Sequence, residues 1–102
     1  MATDDLSGGI LIAVITFRLR APWAASLKDK RMIVNSLTAK LRDRFHVSAA
    51  ETGDQDSWQI IRITAAAVVP HRAMADSVMD SLSRFVEENT DALILEEIRE
   101  IR

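Results

Sequence analysis

The chain has 102 residues and contains no cysteine, only two prolines and only three glycines. The absence of cysteine excludes a disulfide scaffold, a thiolate zinc site and a thiol nucleophile, and it favours an intracellular location. The N-terminal residues are acidic where a secretory signal is basic. The apolar run at residues 10–15 is far shorter than the roughly 20 residues that span a bilayer. We therefore expect a cytoplasmic protein with no membrane partner.

Charge is distributed unevenly although the formal net charge is only -2. Residues 1–45 carry eight basic and four acidic residues, whereas residues 71–102 carry four basic and eight acidic residues. Such asymmetry fits a local anionic partner, and it fits self-assembly of complementary surfaces equally well.

Four segments have the pattern of β-strands. Nearly continuous apolar runs rich in β-branched residues predict strands at residues 9–20 and 58–69, which is typical of central strands covered on one or both faces. Shorter alternating runs predict strands at residues 46–52 and 92–101. Two adjacent glutamates interrupt the last alternation, as a β-bulge or an edge strand does.

Two segments have the pattern of helices. Apolar residues at spacings of three and four predict a first helix at residues 27–45, with Ser26 as its N-cap. The same spacing predicts a second helix that follows Pro70 and ends at residue 88 or 89. Proline suits this entry because it cannot donate to the preceding sheet.

The resulting order, βαββαβ, predicts an α+β, ferredoxin-like sandwich with a four-stranded antiparallel sheet and both helices on one face. We expect a flexible tail at residues 1–8 and a single domain at residues 9–102. The other face of the sheet is then uncovered. If the first and third strands are antiparallel neighbours, basic residues collect at one end of that face and apolar residues at the other.

Two candidate surfaces follow from this arrangement. The exposed stripe of the first helix is predicted to hold Lys28, Arg31, Asn35, Thr38 and Arg42. The candidate RNA- or partner-binding residues are Arg18, Arg20, Lys28, Lys30, Arg31, Arg42, Trp58 and Arg62. The candidate oligomer interface, with a dimer favoured, consists of Ile10, Ile12, Val14, Ala66 and Val68.

Several chemistries are not encoded. An RNA-recognition motif stacks bases on aromatic residues of its two central strands, but here the third strand offers Arg62, Thr64 and Ala66 to the uncovered face and Phe17 is expected to face the core. Both a GxxG clamp and a phosphate-binding GxxxxGK loop are missing. His46 and His71 have no ligand-like spacing and are interpreted as solvated or packed side chains. Asp54 and Asp56 are interpreted first as residues of a polar turn, and second as partner contacts. We expect no enzymatic activity, cofactor or metal.

A series of segments also follows a recognisable order. They are SLKDKR at 26–31, NSLTAKLRDRF at 35–45, HVSAAETGDQDSWQ at 46–59, AAAVV at 65–69 and SRFVEEN at 83–89. On these segments the chain resembles the YlxP-like family, small bacterial proteins of unknown function. It departs at Ser57, Ile60 and Ile61, where the family typically has Leu before the Trp and Arg-Ala after the Gln. The motif positions are Lys28, Lys30, Arg31, Asp54, Gln55, Asp56, Trp58 and Gln59.

The resemblance implies a ferredoxin-like fold without established enzymatic activity. Because such proteins are often encoded among genes for translation initiation and ribosome maturation, it also implies a role near ribosomal RNA. Our leading hypothesis is an accessory protein that binds structured RNA or a ribosomal particle through the first helix and the basic end of the sheet, with Trp58 stacking on a base. A Trp58 that merely closes the end of the sandwich is equally favoured. The alternative function is a protein-interaction or ligand-sensing module that assembles through its uncovered sheet face.

Overall fold

The computed structural model describes residues 10–102. Its elements, in chain order, are β1 (Leu11–Arg20), α1 (Leu27–Phe45), β2 (Ser48–Gly53), β3 (Ile60–Val69), α2 (Arg72–Asn89) and β4 (Leu93–Ile101). The strands form one sheet in the order β2-β3-β1-β4, and every neighbouring pair is antiparallel. This confirms the predicted ferredoxin-like sandwich. The tail expected at residues 1–8 lies outside the described residues.

The core lies between the sheet and the two helices. Alternate residues of β1 point into it, because side chains of a strand alternate between its two faces, and Ile15, Phe17 and Leu19 are fully buried. In β3, Ile61 and Ile63 are buried in the same way. Both central strands therefore turn one set of alternate residues to the core, as the two-residue period of a strand requires. The helices contribute Val34, Leu37, Leu41, Ala75, Met79, Leu82 and Val86.

Helix α1 begins and ends at residues that satisfy its terminal backbone groups. The Ser26 hydroxyl accepts a hydrogen bond from the Asp29 N–H at 3.1 Å, which confirms the predicted N-cap. The Asp29 carboxylate in turn accepts from the Ala25 N–H at 2.9 Å. At the C-terminus, His46 adopts the left-handed conformation with φ 52° and donates its N–H to the Arg42 carbonyl.

Helix α2 is capped by a histidine. Nδ1 of His71 accepts a hydrogen bond from the Met74 N–H at 3.2 Å. The two helices meet through Phe45 and Phe85, whose rings are perpendicular with centroids 5.2 Å apart. Both histidines thus have local structural roles at helix ends. Neither helix in residues 10–102 is long and apolar enough to cross a membrane.

Strand β4 lies at an edge of the sheet and is irregular. Arg18 of β1 pairs with Glu96, but the next residue, Leu19, pairs with Ile94, so Leu95 is an extra residue on β4. The interruption predicted from the sequence is therefore both a bulge and an edge. Beyond the bulge, Glu97 and Arg99 point toward α2, and Glu96 and Glu100 point to the uncovered face.

Candidate binding face

The uncovered face of the sheet has two chemically different ends. Arg18 pairs with Arg62 across β1 and β3 at one end, and Ile12 pairs with Val68 at the other. We call them the basic end (Arg18, Arg20, Trp58 and Arg62) and the apolar end (Ile10, Ile12, Val14, Ala66 and Val68). The register thus separates charged from apolar side chains along the same two strands. The roles of these residues in binding remain predictions.

Asp54 lies between two arginines of the basic end. Its Oδ2 is 3.2 Å from Nε of Arg18 and 3.7 Å from Nε of Arg62. The hydrogen bond from Arg18 is the main reason that the pKa of Asp54 lies below its usual range; partial desolvation opposes this, and the charges of Arg18, Arg62 and Lys30 reinforce it. The carboxylate therefore connects the turn to the sheet face, while Gln55 and Asp56 remain exposed.

Lys30 and Thr38 lie on the inward side of α1, so their placement among the exposed candidate residues was wrong. The Lys30 side chain is only 3% exposed; its Nζ donates to the Asp54 carbonyl and lies 3.0 Å from Oε2 of Glu51. Oε2 has no aligned hydrogen-bond donor, so the contact with Glu51 is an ion pair only. Thr38 is also buried, and its hydroxyl donates to the Val34 carbonyl at 2.8 Å.

Gly53 makes room for one of the arginines. The register of β2 shifts at Thr52, and Gly53 then pairs with Arg62. A Cβ atom at residue 53 would lie 3.0 Å from Cδ, Nε and Cζ of Arg62. Glycine therefore leaves the space in which the guanidinium group rests. Asp54 follows with φ 57°, a left-handed conformation that aspartate tolerates better than most residues.

A groove of about 330 Å³ lies beside the two arginines. Its floor is a row of three threonines: the Thr64 hydroxyl is 2.9 Å from the Thr16 hydroxyl and 2.8 Å from the Thr52 hydroxyl. The lining residues are Thr16, Arg18, Thr52, Arg62, Thr64, Glu96, Ile98 and Glu100. Sequence reasoning did not assign the threonines or glutamates a role. The alternation of β1 and β3 was the available signal, since it places Thr16 and Thr64 on the uncovered face.

The candidate charges of α1 fall into two groups. Lys28 and Arg31 are exposed in the first two turns, close to the connection that follows β1. Arg42 lies about 16 Å from Arg31 along the helix axis, because an α-helix rises about 1.5 Å per residue. Its Nη2 donates to the Ala49 carbonyl at 2.6 Å, so this guanidinium holds β2 against α1. The structure therefore does not bring Arg42 to the basic end.

Both tryptophans are more than half exposed, 53% for Trp23 and 54% for Trp58. The backbone next to Trp58 is anchored to the connection that follows β1, because the side-chain amide of Gln59 donates to the Pro22 carbonyl at 3.0 Å. Trp58 thus projects from an anchored backbone rather than sealing the end of the core. This exposure favours a contact with a partner over the packing role that was considered equally for Trp58.

The apolar end remains exposed to solvent. Ile10 is 55% exposed, Ile12 39% and Val68 76%. Exposed apolar residues of β4, which the sequence interpretation did not include, add to the apolar surface of the molecule. They are Leu93, Ile94, Leu95 and Ile98.

Comparison with known proteins defines the family. Residues 12–98 match the model of a family described as a protein of unknown function, DUF503, so the chain belongs to this family. It is also similar to the uncharacterized protein YlxP of Bacillus subtilis (strain 168), with 31% identity over 64 residues. That match covers 63% of this chain and 70% of YlxP. The resemblance to the YlxP-like family is thereby confirmed.

Proposed function

We propose that this protein is a non-enzymatic accessory protein that binds structured RNA of a ribosomal particle through the basic end and the start of α1. The observation that carries the proposal is the exposed indole of Trp58 on an anchored backbone at the end of the sheet that also carries the exposed Arg20. Ile60, two residues after Trp58, pairs with Arg20, which is exposed. An aromatic face next to positive charge suits a nucleic acid, because the ring stacks on a base while the charges pair with phosphates.

Some of the candidate basic side chains are already paired with carboxylates of the protein, and these are less available to phosphates. Among residues 10–102, the ion pairs do not include Arg20, Lys28 or Arg31. By contrast, Lys30 is buried against Glu51, and Arg18 shares Asp54 with Arg62. We therefore assign the main phosphate contacts to Arg20, Lys28 and Arg31, and a weaker contribution to the arginines beside Asp54.

The test is binding of a labelled ribosomal RNA fragment, measured by fluorescence anisotropy at several salt concentrations. The logarithm of the affinity should fall by about 0.7–0.9 per tenfold increase in salt for each phosphate contacted. The variant Lys28→Ala/Arg31→Ala should bind more weakly and with a salt slope reduced by about 1.4–1.8. The matched control is Arg72→Ala/Arg84→Ala, which removes two exposed arginines from α2.

The aromatic contact is tested in the same assay. Trp58→Ala should weaken binding by about 1–3 kcal/mol, the usual loss for one stacked base. Trp23→Ala is the control, since Trp23 is equally exposed but lines a different groove with Met32 and Asp91. Absence of RNA binding at low salt, or unchanged binding by both the Lys28→Ala/Arg31→Ala and Trp58→Ala variants, contradicts the proposal.

The exposure of Val68 and Ile12 favours a second candidate function, assembly of a homodimer through the apolar end. In a face-to-face dimer, a twofold axis between the two sheets and perpendicular to the strands would place Val68 over Ala66 of the second copy and Ile12 over its Val14. Each larger side chain would then face a smaller one. Light scattering over a range of concentrations should give a dimer mass that Val68→Lys reduces to that of a monomer. The control Met32→Lys changes an equally exposed residue on α1. A strict monomer at all concentrations contradicts this candidate.

A further inference from the structure

The groove beside the basic end contains a hydroxyl hydrogen-bond donor that has no acceptor within the threonine row. Three hydroxyls supply three protons, and the two bonds that join Thr16, Thr64 and Thr52 use two of them. One hydroxyl proton therefore remains for an acceptor. Thr16 and Thr64 are paired in the ladder of β1 and β3, whereas Thr52 lies at the register shift of β2, so the sheet fixes two of the three hydroxyls directly.

Two guanidinium groups are held at one side of this row. Asp54 accepts from Arg18 Nε and Nη2 and lies 3.7 Å from Arg62 Nε. Each guanidinium has five N–H donors, so donors remain on the side away from Asp54. The Asp54 carbonyl is itself held by the buried Lys30, and Gly53 leaves space for Arg62. The arginine pair is thus oriented before any ligand arrives, which reduces the entropy lost on binding.

The opposite side of the groove is acidic. Glu96 pairs with Arg18 across β1 and β4, yet the ion pairs among residues 10–102 do not include Glu96. Glu100 also lines the groove, and its charge is balanced by Arg102 at 2.9 Å. Asp54 offsets one of the two arginine charges, so the arginine side keeps one net positive charge, and Glu96 on the neighbouring strand supplies one negative charge. A bare anion gains little from such a site, whereas a ligand with one charge of each sign gains at both sides.

We propose that this groove binds a small zwitterion, of which a free amino acid is the simplest. The ligand carboxylate lies against Arg18, Arg62 and the threonine hydroxyl, and the ligand ammonium group faces Glu96. The volume of about 330 Å³ suits a ligand of this size. This site shares Arg18 and Arg62 with the weaker RNA contacts, but it does not use the main RNA contacts proposed above, Arg20, Lys28, Arg31 and Trp58.

The test is a titration followed by two-dimensional ¹H–¹⁵N NMR. The probes are glycine, alanine, glutamate and lysine, which each carry an ammonium and a carboxylate group, with acetate, methylammonium and inorganic phosphate as comparisons whose charge is of one sign only. At least one amino acid should shift the amide signals of Thr16, Thr64 and Arg62 in a saturable way, with Kd below about 1 mM. Acetate and methylammonium should not saturate at tenfold higher concentration. Absence of saturation by every amino acid overturns the proposal, and so does phosphate or acetate binding as tightly as an amino acid.

Variants test the assigned contacts. Glu96→Gln should reduce amino-acid affinity at least tenfold, because a neutral amide replaces the partner of the ammonium group, while Glu87→Gln on α2 should leave it unchanged. Gly53→Ala should also reduce it, because the added Cβ displaces the Arg62 guanidinium. The dispersion of the NMR spectrum shows directly that each variant is folded. An amino-acid affinity that changes less than twofold in folded Glu96→Gln overturns the proposal. RNA binding is measured separately, so either result can fail alone.

Discussion

Replacing Lys30, which is buried on the inward side of α1, by methionine should destabilise the protein strongly. The methionine side chain keeps most of the length and apolar volume of lysine but removes its charge and its donors. Glu51 would then keep its negative charge with Oε2 buried and unpaired, and the Asp54 carbonyl would lose its partner. The reason for the loss is thus the stranded carboxylate rather than a cavity.

The magnitude follows from the burial of the two partners. Removing one member of a buried ion pair typically destabilises by about 3–5 kcal/mol, because the other charge is left without compensation. The Lys30 side chain is 3% exposed, but that of Glu51 is 22% exposed, so water reaches part of the carboxylate. We therefore expect a somewhat smaller loss than that range, about 2–4 kcal/mol. For a chain of this size, each kcal/mol lowers Tm by about 4–8 °C.

Urea unfolding followed by far-ultraviolet circular dichroism measures this change. Lys28→Met, on the exposed side of the same helix, is the matched control and should shift the free energy of unfolding by less than about 0.5 kcal/mol. The double variant Lys30→Met/Glu51→Gln should recover at least half of the loss, since it no longer contains the stranded charge. A loss below about 1 kcal/mol in Lys30→Met, or no recovery in the double variant, would refute the reasoning.

Two further predictions concern Asp54 and Ser26. Because the pKa of Asp54 is lowered in the folded protein, its carboxylate stabilises the fold above the unfolded-state pKa of about 3.9, and this contribution is lost as pH falls through the folded-state value. Asp54→Asn should therefore lower the urea midpoint at pH 7, and the difference from wild type should shrink below about pH 4; a difference that is constant over this range contradicts the assignment. Ser26→Ala should cost about 1 kcal/mol through loss of the N-cap, whereas Ser36→Ala, exposed within the same helix, should change stability by only a few tenths of a kcal/mol. Equal effects of the two serine substitutions in urea unfolding would show that the cap contributes nothing.

The sequence was sufficient for the fold because local patterns and global topology agree. Phe17 and Leu19 lie on the buried side of an alternating strand, and Ser26 precedes a helix with regular apolar spacing. A right-handed crossover then leaves a single arrangement for the order βαββαβ. The strand ends differ by two residues or fewer from those expected, because turn residues extend the apolar patterns into the connections.

The burial of Lys30 could have been predicted from its spacing in the helix, but its positive charge led to the opposite prediction. Lys30, Val34, Leu37 and Leu41 follow one another at spacings of four, three and four, so helical geometry alone places Lys30 on the buried stripe. Grouping it with Lys28 and Arg31 by charge led to the wrong surface. A lysine on an apolar stripe should instead prompt a search for an acidic partner, because an unpaired buried charge is not tolerated.

The partner of Lys30 could not be found in the same way. Glu51 reaches it only because β2 ends beside the start of α1, and Asp54 does so only through its left-handed backbone and the register shift at Thr52. None of these three features has a periodic signature. The contacts join residues more than twenty positions apart in the chain, and they depend on the sheet order rather than on local sequence.

This rearrangement also changes the meaning of the charge asymmetry along the chain. The excess of basic residues in the first half was consistent with a local anionic partner or with self-assembly, yet Lys30 is balanced by Glu51, and Asp54 offsets one charge of the Arg18–Arg62 pair. The exposed charges that remain are Arg20 at the basic end and Lys28 and Arg31 in the first two turns of α1. The positive field is therefore short in range and is screened within about 8–10 Å at physiological salt. An RNA partner must accordingly be recognised by close contact with Trp58 and these side chains, and long-range attraction would be a minor part of its affinity.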